Sequence, residues 1–340
     1  MLQVEHAYLA FKIPWLRLEL GRDGFYWGPG YVSSVMLSDN APTLDHVQLS
    51  ARFRGFKFVS FTSYLSRWDA KPRFLPAQRL EISLWDCLTV GGAMMSVTSW
   101  DSVQPSSLGG IVNPLIPIHF ESANGGQVDN LMVGWDAAVY LPRTKLYGQL
   151  FIDNYEFNTR RISPNAVGLQ AGAFWAPHLP IEARFEYARV TAFTYYHRKH
   201  YIMYENYLVP LGHEIGPDAD QLYASARSVV LPSLRVGLWG DLTRRGYFNR
   251  GDYLRRAFYE GEPLPEKFPA LGIDPVTGDT LADDWAVDNT LRAGPEFEWR
   301  PMRDLAIKGK AYYRRSINHL GIPGKTEDGW EAELRAEYRY

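Results

Sequence analysis

The sequence predicts an all-β chain folded as an antiparallel up-and-down transmembrane β-barrel, and three observations carry that expectation. Aromatic residues make up 14% of the 340, with Tyr 21 and Trp 11, and few segments have the length and period of a helix. About fourteen segments alternate apolar with polar residues between turn residues, the period of a pleated strand with two unlike faces. From residue 131 onward the connections alternate short and long. The short ones fall at Pro142-Arg143, Ala176 to Pro180, Pro232-Ser233 and Pro301-Met302, and the long ones at 155–165, 192–220, 245–288 and 316–328. A soluble β-sandwich writes the same alternation along its strands, but only an up-and-down membrane barrel has reason to keep this order of loops.

Taken in order, Leu16, Leu18 and Leu20 alternate with Arg17, Glu19 and Gly21 in a strand expected to stop at Gly21. Phe25, Tyr26 and Trp27 follow, and then Gly28-Pro29-Gly30, where two glycines flank a proline of fixed φ and bend the backbone out of any ladder. Leu37 to Pro42 is turn-prone again, and alternation resumes at Val47, Leu49, Ala51 and Phe53. A polar and aromatic loop is slung between two strands. Further strands run through Ile181 to Ala188, Leu291 to Arg300 and Leu305 to Tyr312. The clearest is Trp330 to Tyr340, with apolar or aromatic residues at even positions and charges at all odd ones. Apolar residues then face lipid and charges face the lumen, where they must pair or meet water or a polar ligand. Counting strand directions back from Tyr340 puts the 23–45 loop on the short-turn rim. One extra strand within residues 88–130, for example Met94 to Trp100, would move it to the other rim, and both arrangements stay open.

Composition excludes several classes. A net charge of -2 with both signs interspersed offers no basic face for nucleic acid. The single cysteine, Cys87, leaves no intrachain disulfide and no multi-cysteine metal site. No apolar run reaches 18 residues, which argues against a membrane-spanning helix but not against strands of about 9–11 residues. Met1 to His6 has neither the basic nor the apolar region of an export signal.

The run G-R-x-x-F-Y-W-G-P-G at Gly21 to Gly30, followed by L-S-D-N-A-P at Leu37 to Pro42, resembles the signature of the capsule assembly protein Wzi family. Arg79 to Leu84, Leu131 to Asp153, and Tyr207 to His213 with Asp218 after it resemble later segments of the same family, so the likeness runs roughly from Leu16 to Arg245. The resemblance implies a bacterial outer-membrane barrel that holds capsular or extracellular polysaccharide at the cell surface without catalysis, in contact with outer-membrane lipid and lipopolysaccharide. It also implies that residues 1–340 form one barrel domain lacking N-terminal sequence, with more strands, and helices at the periplasmic mouth, in the complete protein. A porin-type channel for small solutes is the alternative.

The candidate ligand-binding residues are Arg22, Tyr26, Trp27, Asp39, Asn40, His213 and Asp218. Phe25-Tyr26-Trp27 is either a platform for a sugar ring, with Arg22, Asp39 and Asn40 bonding hydroxyls, or the packing of the loop against the barrel wall. Gly212-His213-Glu214 with Asp218 and Asp220 is an active carboxylate and imidazole cluster, a cation site or a structural loop; its spacing fits neither a calcium loop nor a zinc site. His197 to His200 is a cationic stretch for an anionic polymer or a solvated loop, and Asp274 to Asp288 reads as an exposed acidic loop. Glu296 with Glu298 and Glu331 with Glu333 share strand faces at about 7 Å, like every charged pair here, and nominate no acid-base catalysis. No catalytic residue, cofactor or metal is expected.

Overall fold

The computed structural model describes residues 5–68, 71–99, 130–154, 166–197, 200–246 and 287–338. One antiparallel sheet of fifteen strands makes the wall, and each strand pairs with its neighbours in sequence. Its first ten strands are β1 (Ala7–Ile13), β2 (Leu16–Asp23), β3 (Leu44–Phe53), β4 (Phe56–Trp68), β5 (Lys71–Leu84), β6 (Leu88–Ser99), β7 (Asn130–Leu141), β8 (Thr144–Asn154), β9 (Ala166–Trp175) and β10 (Ile181–Val190). After a small hairpin of β11 (Glu205–Asn206) and β12 (Val209–Pro210), the wall continues with β13 (Ala219–Leu231), β14 (Leu234–Arg245), β15 (Asp288–Met302), β16 (Leu305–Ile317) and β17 (Thr326–Tyr338). Among the described residues β1 and β17 are the two free edges. Because the fifteen strands alternate in direction, these edges run parallel to each other.

The two faces invert the order of a soluble protein. Leu18, Leu20, Val47, Leu238, Trp330 and Leu334 are exposed, whereas Glu19, Arg79, Asp136, Glu186, Asp241 and Glu296 are buried. In water such an arrangement exposes apolar surface and desolvates charge, and both are unfavourable. With lipid outside and the charges paired inside, both penalties vanish. The pairs are present: Arg79 donates to both oxygens of Asp136 at 2.5 and 3.0 Å, Arg227 to those of Glu296 at 2.5 and 3.0 Å, and Arg292 to Asp241 at 3.0 Å. Gly91 makes room for the first pair, since a Cβ there would lie 2.4 Å from the Arg79 guanidinium. The expected orientation of the charges is thus observed.

Two sequence expectations are corrected and one open alternative is decided. The strand through Leu20 continues to Asp23, because Gly21 adopts φ +150 within the ladder, opposite Tyr8, where a Cβ would meet the Ala7 carbonyl. Pro301-Met302 belongs to β15, at a register shift where proline removes no ladder bond, and the turn falls at Arg303-Asp304. The extra strand exists as β6 and ends at Ser99; Trp100 lies outside the described residues, as does the strand-end pair Arg339 and Tyr340. With β6 in place, the loop at 24–43 shares a rim with the connections 100–129, 155–165, 191–218 and 246–287, while the opposite rim carries only short turns. A wall of this kind resists detergent until heated. Folded complete protein from outer-membrane fractions is expected to migrate faster unboiled than boiled, and identical mobility would return the charges to an exterior surface.

Candidate functional site

The loop at 24–43 turns into the lumen, because its aromatic residues find an apolar inner wall there. Phe25 stacks on Phe61 at 4.1 Å between centroids and meets His46 edge-on at 4.7 Å, and Trp27 meets the other side of Phe61 at 5.3 Å. His46 is held from behind by Glu19 at 3.0 Å. The Trp27 amide donates to the Leu37 carbonyl at 2.9 Å, pinching residues 28–36 into a lobe. Gly28 enters that lobe at φ +117, and a Cβ there would lie 2.5 Å from the Gln149 side chain. Glycine is required on both counts.

The tip of the lobe is fastened by one buried carboxylate. Glu186 on β10 accepts the Tyr31 amide at 2.7 Å, the Val32 amide at 2.9 Å and the Tyr147 hydroxyl at 2.5 Å. Lys145 donates to the Pro29 carbonyl at 3.2 Å, and Gln170 to the Ser33 carbonyl at 2.8 Å. Because Lys145 is the second residue from the short-turn end of β8, the tip reaches well past the middle of the wall.

The second long connection, 191–218, folds in beside the first. Its hydroxyls satisfy the carbonyls of the lobe: Tyr195 donates to Val35 at 2.8 Å and Tyr204 to Met36 at 2.9 Å. Ser38 gives its amide to the Leu211 carbonyl at 2.8 Å and its hydroxyl to the Gly212 carbonyl at 2.6 Å, and the Asn40 amide group donates to Pro210 at 3.0 Å. The two motifs singled out in the sequence, L-S-D-N and P-L-G-H, are therefore the two sides of one seam. Arg73 on β5, fully buried, ties the second loop to the wall by donating to the carbonyls of Tyr201 at 3.0 Å, Met203 at 2.5 Å and Glu205 at 3.1 Å. Around these bonds Val35, Met36, Leu37, Ile202, Tyr204, Leu211 and Ile215 form a core with inward residues of the strands, Leu65, Leu75, Met95, Val97, Met132 and Phe151 among them.

The seven candidates separate by position. Trp27, Asn40, His213 and Asp218 hold the loops: Trp27 is packed, Asn40 clamps the seam, His213 is fully buried, and Asp218 is buried at φ 51 with its backbone bonded to Thr191 and Gly246. Arg22 points outward and makes two bonds of 2.7 Å to Asp45. Tyr26 and Asp39 remain exposed, and the Tyr26 hydroxyl donates to the Gly30 carbonyl at 3.0 Å. Glu186, Arg73, Tyr195 and Tyr204 were not among the candidates. Strand alternation marks Glu186 as inward, but nothing local distinguishes it from other inward carboxylates. Arg198, Lys199 and Asp274 to Asp284 lie outside the described residues.

Burial governs the titration of this core. It raises the Tyr195 and Tyr204 hydroxyls and lowers the His213 imidazole to about 3. His213 is thus neutral, its Nδ1 accepting the Ile215 amide at 3.3 Å. Between pH about 6.5 and 3 the released loop binds a proton that the packed loop does not. Packing is therefore fully favourable above about 6.5 and weakens by about 1.4 kcal/mol per pH unit below it. Glu214, raised by burial, offsets part of this. Protease cleavage within 191–218 is expected to begin on acidification, and the pH dependence to flatten in His213→Gln.

An antiparallel wall, apolar outside and polar inside, with its own loops folded into the lumen, defines a β-barrel of the bacterial outer-membrane class. Residues 1–72, which hold β1 to β4 and the 24–43 loop, match the family model of the capsule assembly protein Wzi. Among solved structures the chain is similar to Wzi of Escherichia coli, described as an outer-membrane protein involved in group 1 capsule assembly and a carbohydrate-binding β-barrel. The identity is 14%, with 99% of this chain and 71% of that chain covered and a TM-score of 0.66. It is also similar to OccK10 (OpdN) of Pseudomonas aeruginosa, at 10% identity, 97% and 81% coverage and a TM-score of 0.52. OccAB4 of Acinetobacter baumannii is similar at 8% identity, 98% and 74% coverage and a TM-score of 0.51. No curated protein matches the chain in sequence. At these identities the structures speak for the fold. The sequence resemblance to Wzi rests on residues 1–72, a narrower span than the motifs suggest.

Proposed function

We propose that this barrel binds and organises capsular or extracellular polysaccharide at the surface of a Gram-negative cell, without catalysis. The observation that supports it most is the seam: the 24–43 loop, which lies within the residues that match the Wzi family model, is folded into the lumen and locked to 191–218. Those loops fill the part of the lumen beside β3 to β13, where a porin-type channel would need open water. Tyr26 and Asp39, the exposed members of the candidate set, touch the polymer, and the buried members position them. Each contact is weak, but a polymer spanning many copies is retained through effective concentration. Lipid covers the exposed apolar face, and lipopolysaccharide headgroups meet the outward Arg22, Arg189 and Arg244 at the long-loop ends of their strands. The 340 residues form one barrel domain. Because an odd number of alternating strands leaves parallel edges, its wall takes at least one strand beyond the fifteen of the described residues. Deleting the gene is expected to release surface polysaccharide into the medium while its synthesis continues, and unchanged retention would refute the reading.

A further inference from the structure

The short-turn ends of β13 to β16 enclose a recess of about 290 Å³, at the lower end of ligand-site volumes. Tyr31, at the tip of the 24–43 loop, lines it, so the recess lies on the short-turn side of that tip. Gly237 gives it depth, since a Cβ there would lie 2.7 Å from the Arg227 side chain. The other polar walls are four cations, Arg227, Arg235, Lys308 and Lys310, against two carboxylates, Glu296 and Glu298.

The pairing of these charges is incomplete. Arg227 is matched to Glu296, Lys308 to Glu337 at 2.9 Å, and Glu298 to Arg300 at 2.6 Å. Among the described residues, Arg235 and Lys310 have no carboxylate partner. The Lys310 ammonium stands 4.8 Å from the centroid of the Trp239 ring, and the indole nitrogen of this buried tryptophan has no hydrogen-bond partner. Two cations without a carboxylate partner and the partly exposed ring of Tyr31 make a place that is short of an anion and supplied with aromatic surface.

We propose that the recess binds the carboxylate of an acidic sugar unit, with Arg235 and Lys310 on the carboxylate and Tyr31 against the ring. This rests on the polysaccharide reading and adds the chemical class of the unit. A bare inorganic anion would use the cations but leave the aromatic face empty. In outer-membrane barrels short turns face the periplasm, so the sugar reaches the recess from the periplasmic mouth while the seam stays closed.

The test uses the complete protein folded in detergent, with hexagalacturonate and its carboxyl-reduced neutral counterpart as probes in isothermal titration at low salt. Hexagalacturonate is expected to bind about tenfold more tightly than the reduced oligomer, and the double variant Arg235→Gln/Lys310→Gln to lose that difference. The single variant Lys310→Gln, which leaves the ion pairs of Arg227, Lys308 and Glu298 intact, is expected to lose part of it. Equal binding of the two probes, an undiminished preference in the variants, or no binding of hexagalacturonate each overturns the recess. Failure of the wider reading is separate: the polymer of the native strain would then bind neither wild type nor variant.

Discussion

Glu186→Ala is expected to free the tip of the 24–43 loop while leaving the barrel wall folded. The substitution removes the acceptor of the part-buried Tyr31 and Val32 amides and of the buried Tyr147 hydroxyl. Each part-buried bond lost costs about 1 kcal/mol and the buried hydroxyl left unsatisfied about 1–3 kcal/mol, so the closed tip loses roughly 3–5 kcal/mol in all. That exceeds what the remaining bonds from Lys145 and Gln170 supply, at about 1 kcal/mol each. The wall is insulated, because its ladder on either side of Glu186 is backbone to backbone. In planar bilayers the wild type is expected to be quiet and Glu186→Ala to show repeated openings. Glu186→Gln keeps one acceptor oxygen and falls between them.

Arg73→Met is expected to release the second loop by the opposite chemistry. Here one buried guanidinium serves the carbonyls of Tyr201, Met203 and Glu205, and methionine fills much of the volume but donates nothing. The expected loss is about 3–5 kcal/mol, read as rapid protease cleavage within 191–218 while the heat-dependent gel shift persists. Arg73→Lys does not rescue it, since an ammonium cannot span carbonyls that a planar fork reaches together. Cleavage as slow as in the wild type would show that the seam with 24–43 holds this loop unaided.

The strands were legible wherever one face met lipid and the other met charge. Trp330 to Tyr338 is the clearest case, and it lies in β17 as its alternation requires. Legibility fails where the inner face is also apolar. In β6 the inward residues Ala93, Met95 and Val97 join the core of the folded loops, so the segment loses its polar face and its strand was only one of two open arrangements. That strand decides which rim carries the 24–43 loop. The aromatic loop itself was visible in Phe25-Tyr26-Trp27, and packing against the wall was one of its two readings; the structure realises it for Phe25 and Trp27 and leaves Tyr26 exposed. The partnership of Ser38 with Gly212 was not visible, because it joins backbone to side chain across 174 positions and leaves no period in either segment. Glu186 illustrates the same limit. Alternation says which way a strand residue points, and only the fold says what lies opposite.

The most direct measurement is binding of the purified surface polysaccharide of the native strain to the complete protein folded in detergent, followed by titration calorimetry. Saturable binding that disappears when the protein is boiled is the predicted result. No binding, together with steady conductance of the wild-type protein in a planar bilayer, would contradict the account and make the barrel a channel.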